Sequence, residues 1–172
     1  MNKEFKIQFL ENDLVQLVPL NEADFASLFQ VASDPLLWEQ HPQKDRCEEA
    51  VFSLFFEEAI ENKMAFKIID KKSGMVIGSS RYYNCDLLQK SIAIGYTFIA
   101  RAYWGTNYNA SIKSLMIQYA FTYFDEIYFH VDHQNFRSQK AVEKLGAIKI
   151  GTKPRNLPNQ APGTNFEYLL KK

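Results

Sequence analysis

The stretch between residues 92 and 151 constrains the fold of this chain most, because strand, loop and helix follow one another twice within it. The apolar run 92–99 leads through the loop 101–109 into a long amphipathic helix. A second apolar run, 127–131, leads into a helix that begins at Asn135 and ends at Gly146, a residue typical of helix C-termini. The start of a helix presents unpaired N–H groups and the positive end of a dipole, so it suits a phosphate group. Two such junctions close together in sequence predict a single cleft.

The loop at the first junction carries most of the candidate ligand-binding residues. Arg101 would place a guanidinium beside the helix start, on the side from which a phosphate would enter. A role as a solvated surface charge accounts for this residue equally well. Tyr103 and Trp104 could be packing residues at a helix entrance, but the second junction favours a functional loop. The candidates in this loop are Arg101, Trp104, Gly105, Thr106, Asn107, Tyr108 and Asn109.

The second junction adds two candidates at the start of its helix. Asn135 is first of all a preferred N-cap residue, and a ligand contact requires that one of its polar groups stays free. Ser138 lies in the first turn, where local backbone hydrogen bonding explains it as well as a ligand contact does.

These residues, in this order, resemble the motifs of the GNAT acyl-CoA N-acyltransferases. The first loop is similar to the family's pyrophosphate loop, Gln/Arg-x-x-Gly-x-Gly/Ala at the start of a helix. The second junction resembles the family pattern Asn-x-x-Ser/Ala followed by Lys-x-Gly, here Asn135, Ser138, Lys144 and Gly146. The stretch 104–108 looks most like the Trp-Gly-x-Gly-Tyr loop of the Rim-type branch, which acetylates protein N-termini and other amines. Residues 19–20 and 34–38 also sit where that branch has similar segments, so the resemblance covers most of the chain.

The resemblance implies an α+β fold in three layers, with a central mixed, mostly antiparallel sheet flanked by helices. It places a cofactor notch between the strands that end near Ile99 and Val131. Acetyl-CoA would be the co-substrate, and backbone groups near Phe98 and Ile99 would pair with its pantetheine arm. A primary amine would attack the thioester directly, and a backbone N–H near Phe98 would stabilise the oxyanion. Dimers are common in the family, so a homodimer is a further expectation.

Three positions depart from the family pattern. Asn107 stands where the family usually has Gly, and Asn is among the few residues that tolerate a left-handed backbone, so we expect it to hold such a turn. Val142 replaces a Tyr that protonates the leaving thiolate, and Ser138 could hydrogen-bond the thiolate instead. Ala93 replaces a Glu base. The candidate bases that remain are Glu39 and His41, which with Trp38 could line an acceptor pocket.

Two other functions stay open at this point. The departures at Ala93, Asn107 and Val142 also fit a module that binds acyl-CoA without turnover. An interaction domain is the third possibility, with Tyr82, Tyr83 and Tyr128 as exposed aromatics on a partner surface. His130 is interpreted as a satisfied histidine of the core or the cleft.

Length and charge narrow the class of protein. The 172 residues predict one domain spanning residues 1–172. A net charge of zero argues against a nucleic-acid partner and gives no support for a membrane surface, and no apolar run is long enough to span a bilayer. Cys47 and Cys85 are isolated and lack metal-ligand spacing, so we expect no metal and a cytoplasmic location. The acceptor could be a small amine or a protein N-terminus.

The rest of the chain gives a coarse prediction of elements. We expect strands at 14–18, 65–70, 75–83, 91–99 and 148–152, and a terminal strand at 166–170. Residues 38–46 are predicted to be irregular, 84–89 a turn and 153–164 a loop that includes Pro158. Helices are predicted near 25–32, 48–62 and 108–123, the second with Val51, Leu54, Phe55 and Ala59 facing inward.

Overall fold

The computed structural model describes residues 4–157 and 160–172, and these residues form one eight-stranded sheet with four α-helices. The strands are β1 (Leu10–Glu11), β2 (Val15–Pro19), β3 (Ala65–Asp70), β4 (Val76–Asp86), β5 (Ser91–Ile99), β6 (Glu126–Asp132), β7 (Ile148–Arg155) and β8 (Gly163–Lys171). The helices are α1 (Phe25–Ala32), α2 (Glu49–Asn62), α3 (Tyr108–Ala120) and α4 (Phe136–Lys144). In the described part of the chain, no helix is long and apolar enough to cross a membrane.

The sheet has the order β1-β2-β3-β4-β5-β6-β8-β7. All neighbouring strands are antiparallel except β5 and β6, which are parallel. The connection between this parallel pair is α3, as a parallel crossover requires. The predicted α+β fold with a mixed, mostly antiparallel sheet is therefore confirmed.

A β-bulge divides β5 and changes which face of the sheet its residues occupy. Tyr96 and Thr97 together oppose the single residue Ser80, and Tyr96 has a left-handed φ of 54°. Ile94 accordingly joins the core cluster beneath α3, whereas Phe98 joins the second cluster against α2. In an unbroken strand these two residues would share one face.

Gly78 on β4 allows β5 to approach closely, as its position in a strand predicts. A Cβ at this residue would lie 2.0 Å from the carbonyl oxygen of Phe98, so no other residue fits without a shift of backbone.

The inward face of α2 differs from the prediction. Phe52, Phe55, Phe56 and Ala59 are buried, Val51 is half-buried, and Leu54 is 68% exposed. The helix carries apolar residues on most of its circumference, so periodicity alone could not determine which of them face the core.

Several element boundaries were also predicted wrongly. Residues 153–155 belong to β7, because Arg155 still pairs with Gly163, and the part of the predicted loop at Pro158 lies outside the described residues. β4 continues to Asp86, and α3 already ends at Ala120. Residues 38–46 are not irregular throughout, since 3₁₀ helices span Pro35–Trp38 and Lys44–Cys47.

Candidate active site

A cavity of about 890 Å³ opens where β5 and β6 separate. The two strands pair only through Ser91, Ile92 and Ala93, after which the β6-facing edge of β5 has no partner strand in the described chain. Both strand-to-helix junctions line this cavity, as the sequence predicts. Its volume falls in the range of roughly 300–1,000 Å³ typical of small-molecule sites.

The loop at the first junction supplies a helix start with free donors. Trp104, Gly105, Thr106, Asn107 and Asn109 line the cavity. The backbone N–H groups of Asn109 and Ala110, in the first turn of α3, donate to no acceptor in the residues described. Such groups can receive a phosphate.

The left-handed residue of this loop is Gly105, with φ 71°, and not Asn107. Asn107 has φ −77° and ψ −2°, an ordinary right-handed conformation, so the prediction that it holds a left-handed turn is wrong. The turn already has a glycine at the position with positive φ, so position 107 does not need a residue that tolerates a left-handed backbone.

Trp104 ties the two junctions together. Its indole N–H donates to the carbonyl oxygen of Ile99 at 3.0 Å, and the guanidinium of Arg137, from α4, lies 3.7 Å from the centre of its ring. A cation over an indole face is favourable, so the loop and the start of α4 are held at the same cavity wall.

Two predicted loop residues lie outside the cavity. Arg101 is exposed and pairs with Asp34 through its Nε atom. Tyr108 donates its hydroxyl to Asp70 at 2.8 Å. Neither is among the lining residues, so both hold the loop rather than face the opening.

The second junction has the predicted cap. The Asn135 side chain accepts a hydrogen bond from the backbone N–H of Ser138 at 3.2 Å. The Ser138 hydroxyl lines the cavity and makes no hydrogen bond within the described residues. The buried side chain of Val142 lies one turn further along the same wall.

Neither predicted base is well placed to accept a proton. His41 lines the cavity, but burial, reinforced by the neighbouring charge of Arg46, lowers the pKa of its imidazole to about 3. Its Nε2 atom already accepts from Arg46 Nη1 at 3.3 Å. Glu39 is exposed and is not among the lining residues.

Three polar side chains that the sequence did not connect form a hydrogen-bonded series that is able to accept a proton. The hydroxyl of Tyr83 lies 2.7 Å from Nδ1 of His130, and Nε2 of His130 lies 2.8 Å from Glu167. Burial alone would raise the pKa of Glu167, yet hydrogen bonds from Lys153 and His130 hold it below its ordinary value. Because the carboxylate can only accept, Nε2 carries the hydrogen, and Nδ1 accepts from Tyr83.

The ring of Tyr83 has room because residue 95 is a glycine. A Cβ there would lie 2.9 Å from Cε1 of Tyr83. Burial raises the pKa of the Tyr83 hydroxyl, so it stays protonated and can only relay a proton. Tyr82, Tyr83 and Tyr128, predicted to be exposed, are respectively buried, half-buried and half-buried, and the partner surface that they were expected to form is absent.

One pattern in the sequence did indicate the position of His130 in this hydrogen-bonded series. Along β6, the half-buried residues Tyr128 and His130 alternate with the buried Ile127, Phe129 and Val131. The alternation places His130 on the face opposite the main apolar core, where a polar ring is satisfied by other side chains.

The cavity is strongly cationic although the whole chain is neutral. Among the described residues, its lining contains one carboxylate, Asp132, which is paired with Arg155 at 2.9 Å. The cationic lining residues are Arg46, Lys113, Arg137, Lys140, Lys144, Lys153 and Arg155. Anionic groups are therefore the favoured ligands of this cavity.

Lys113 is the most buried amine of this group, at 5% exposure. Its Nζ atom donates to Thr97 Oγ1 and, at 3.4 Å, to Ser80 Oγ, and it has no carboxylate within 4 Å among the described residues. Burial lowers the pKa of this amine to about 7.

A model of the acetyltransferase (GNAT) domain matches residues 15–148, which is most of the chain. The chain belongs to the GNAT acetyltransferase family. The predicted resemblance to this family is thus confirmed, and the fold is that of a GNAT domain.

Solved structures with the same fold are distant in sequence. A probable GNAT-family acetyltransferase from Chromobacterium violaceum is 19% identical with a TM-score of 0.85, over 97% of this chain and 88% of that one. A GCN5-related N-acetyltransferase from Brucella melitensis is 20% identical with a TM-score of 0.80, over 95% and 78%. Mycobacterium smegmatis RimJ, in complex with CoA-disulfide, is 15% identical with a TM-score of 0.72, over 95% and 85%.

Proposed function

We propose that this GNAT domain transfers an acetyl group from acetyl-CoA to a primary amine, by direct attack of the amine on the thioester. The observation that carries the proposal is the unpaired edge of β5, which faces a cavity shared by two helix starts. That edge can pair with an extended pantetheine arm as a strand would, near Phe98 and Ile99.

The phosphates of acetyl-CoA fit the first junction. The free N–H groups of Asn109 and Ala110 point from the start of α3, and Thr106 and Asn107 lie beside them in the lining. Lys140 and Lys144 on α4 also line the cavity and add positive charge, so they would face the remaining phosphate oxygens.

The chemistry follows from the groups around the thioester position. The amine nitrogen forms a bond to the acetyl carbon, the C–S bond breaks, and a backbone N–H of β5 near Phe98 stabilises the oxyanion, an effect worth about 3 kcal/mol. The proton leaves the amine for Tyr83, whose own proton moves to Nδ1 of His130, and the ionised Glu167 stabilises the imidazolium. The free hydroxyl of Ser138 donates a hydrogen bond to the departing thiolate. It would take the place of the acidic tyrosine that the family resemblance implies at position 142, where this chain has Val142.

We assign the chain, within this proposal, to the Rim-type branch. The Trp104–Tyr108 loop and the fold shared with M. smegmatis RimJ, which binds CoA-disulfide, support this assignment.

A second candidate is a module that binds acyl-CoA without turnover. It is favoured by two buried apolar residues, Ala93 and Val142, which occupy the positions where the family resemblance implies a base and an acid. Amine attack on a thioester depends mostly on positioning, so the loss of one acid does not remove the reaction.

The test combines a melting curve with thiol release. Acetyl-CoA is expected to raise the melting temperature, and a panel of primary amines is expected to release CoA thiol. Tyr83→Phe and His130→Ala should each lower turnover roughly 100-fold or more. Tyr128→Phe is the matched control, because its hydroxyl donates to Glu126 outside the cavity and should leave turnover unchanged.

The outcomes separate the candidates. A melting shift without thiol release from any amine would establish the binding module. No shift at acetyl-CoA concentrations far above those that a micromolar site needs would exclude both functions.

A further inference from the structure

The guanidinium of Arg46 is buried in the cavity wall without a carboxylate partner. Arg46 lies in the 3₁₀ helix Lys44–Cys47 and is 5% exposed, yet it lines the cavity. Within the described residues no carboxylate oxygen lies within 4 Å of it. Burial of an unpaired charge lowers the stability of the folded protein, so the position of this side chain indicates a role in binding rather than in stability.

Neutral groups hold the guanidinium in one orientation. Its Nε atom donates to the amide oxygen of Gln43 at 2.9 Å, and Nη1 donates to the neutral ring of His41 at 3.3 Å. The rings of Phe55 and Trp38 lie 4.5 and 5.5 Å from its central carbon. Nη2 makes no hydrogen bond in the part of the chain described, and the Nη1–Nη2 edge of the fork therefore remains available.

The nearby acidic residues do not neutralise this charge at contact. Glu58 pairs with Arg81 at 3.3 Å, and Asp45, like Glu58, favours the charge of Arg46 only at longer range. Asp132, the one carboxylate among the lining residues that the structure describes, is paired with Arg155. Among the described residues the guanidinium thus has no carboxylate at contact, and an anionic group in the cavity could pair with its free edge.

Ring contacts connect Arg46 to Tyr83, the proposed first proton acceptor for the amine. Phe55, over which it stacks, packs 6.2 Å from Tyr96 on the bulge, and Tyr96 packs 5.1 Å from Tyr83. The acetyl-CoA phosphates have their own donors at α3 and α4. A ligand group at Arg46 would thus belong to the acceptor.

We propose that the acceptor is a primary amine that also carries a carboxylate, as an amino acid does, and that Arg46 binds this carboxylate through its free edge. The inference rests on the proposed acetyl transfer and narrows its substrate class. It excludes polyamines and other purely cationic amines as preferred acceptors, since they would be repelled by the cationic lining.

The test compares amino acids with their carboxamides as acceptors, with acetyl-CoA saturating and CoA thiol release as the readout. The KM for the best amino acid should be lower than for its carboxamide by roughly 10- to 100-fold, the usual effect of one charged hydrogen-bonded pair. Arg46→Gln should raise the KM for the amino acid by a similar factor and leave that for the carboxamide unchanged. Arg46→Lys should restore part of the difference, because it keeps the charge without the fork.

A second variant serves as the control, and the carboxamide reaction serves as the check that Arg46→Gln is folded. Lys44→Gln changes an exposed cation on the same 3₁₀ helix that does not line the cavity, and it should preserve the preference. Turnover of the carboxamide by Arg46→Gln shows that this variant is folded. Equal KM values for acids and carboxamides would overturn the inference and leave acetyl transfer standing, whereas no thiol release with any amine would overturn both.

Discussion

Replacement of Lys113 by Met should stabilise the protein and remove a pH dependence from its unfolding. Lys113 is buried on α3 and lacks a counter-charge at contact in the described structure. Methionine has a similar length and no charge, so it can fill the same space. Ser80 and Thr97 would not be left unpaired, because their hydroxyls already bond each other at 2.8 Å.

The magnitude follows from the pKa of the amine in the two states. Burial lowers the pKa of Lys113 from 10.5 to about 7 in the folded protein. The difference of about 3.5, multiplied by about 1.36 kcal/mol, gives an upper limit of about 5 kcal/mol for the penalty. Because the unfolded chain holds this proton between pH 7 and 10.5 while the folded chain has lost it, the free energy of unfolding of the wild type rises with pH across that window.

Urea denaturation of both proteins at a series of pH values between 6 and 10 measures this effect. The variant should be more stable by up to about 5 kcal/mol at pH 6, and the gain should shrink as the pH rises through 7 towards 10. The difference between the wild-type and variant free energies of unfolding, taken at each pH, removes the contributions of the other titrating groups. Lys72→Met, which changes an exposed turn residue, is the control and should show no such difference. Parallel curves for wild type and Lys113→Met would refute the reasoning.

Three further substitutions test other parts of the site. Gly95→Ala should lower turnover, because its Cβ would lie 2.9 Å from the Tyr83 ring and displace it. Unchanged steady-state kinetics would show that Tyr83 takes no part in the reaction. Asn135→Ala should cost about 1 kcal/mol in a urea unfolding curve through loss of the cap of α4, and an unchanged midpoint would contradict the cap. Ser138→Ala should lower turnover on the order of tenfold and leave acetyl-CoA affinity nearly unchanged, because the contact strengthens only as the thiolate leaves. A loss of stability with intact turnover would show that Ser138 is structural.

The features predicted correctly are those that depend on local sequence. Asn135 as a cap, Gly146 with its positive φ of 90° and the two strand-to-helix junctions each follow from short segments. Caps and periodicity act within a few residues, so they can be read without knowledge of the fold.

The errors at α2 and Asn107 have different physical causes. Apolar residues surround most of α2, and only contact with Phe98 and α1 selects Phe52 and Phe56 over Leu54. At Asn107, a family pattern suggested a left-handed residue, but Gly105 already supplies that conformation in this chain.

The hydrogen-bonded series Tyr83–His130–Glu167 could not be predicted because its members are distant in sequence. Tyr83, His130 and Glu167 lie on β4, β6 and β8, and their contacts depend on strand order and register. The pairing of His130 with Glu167 across β6 and β8 is one such register relation, and no local pattern encodes it.

The bulge at Tyr96 connects the shape of the cavity to its chemistry. A left-handed tyrosine is strained, and such strain persists only where the surroundings fix it; here Arg81 lies 3.6 Å from the ring centre and Tyr83 packs against its edge. The extra residue turns Phe98 towards α2 and turns Thr97 towards Lys113 on α3. Since β5 parts from β6 just before this bulge, one irregularity sets both the opening where we propose that the thioester binds and the side chains that face it.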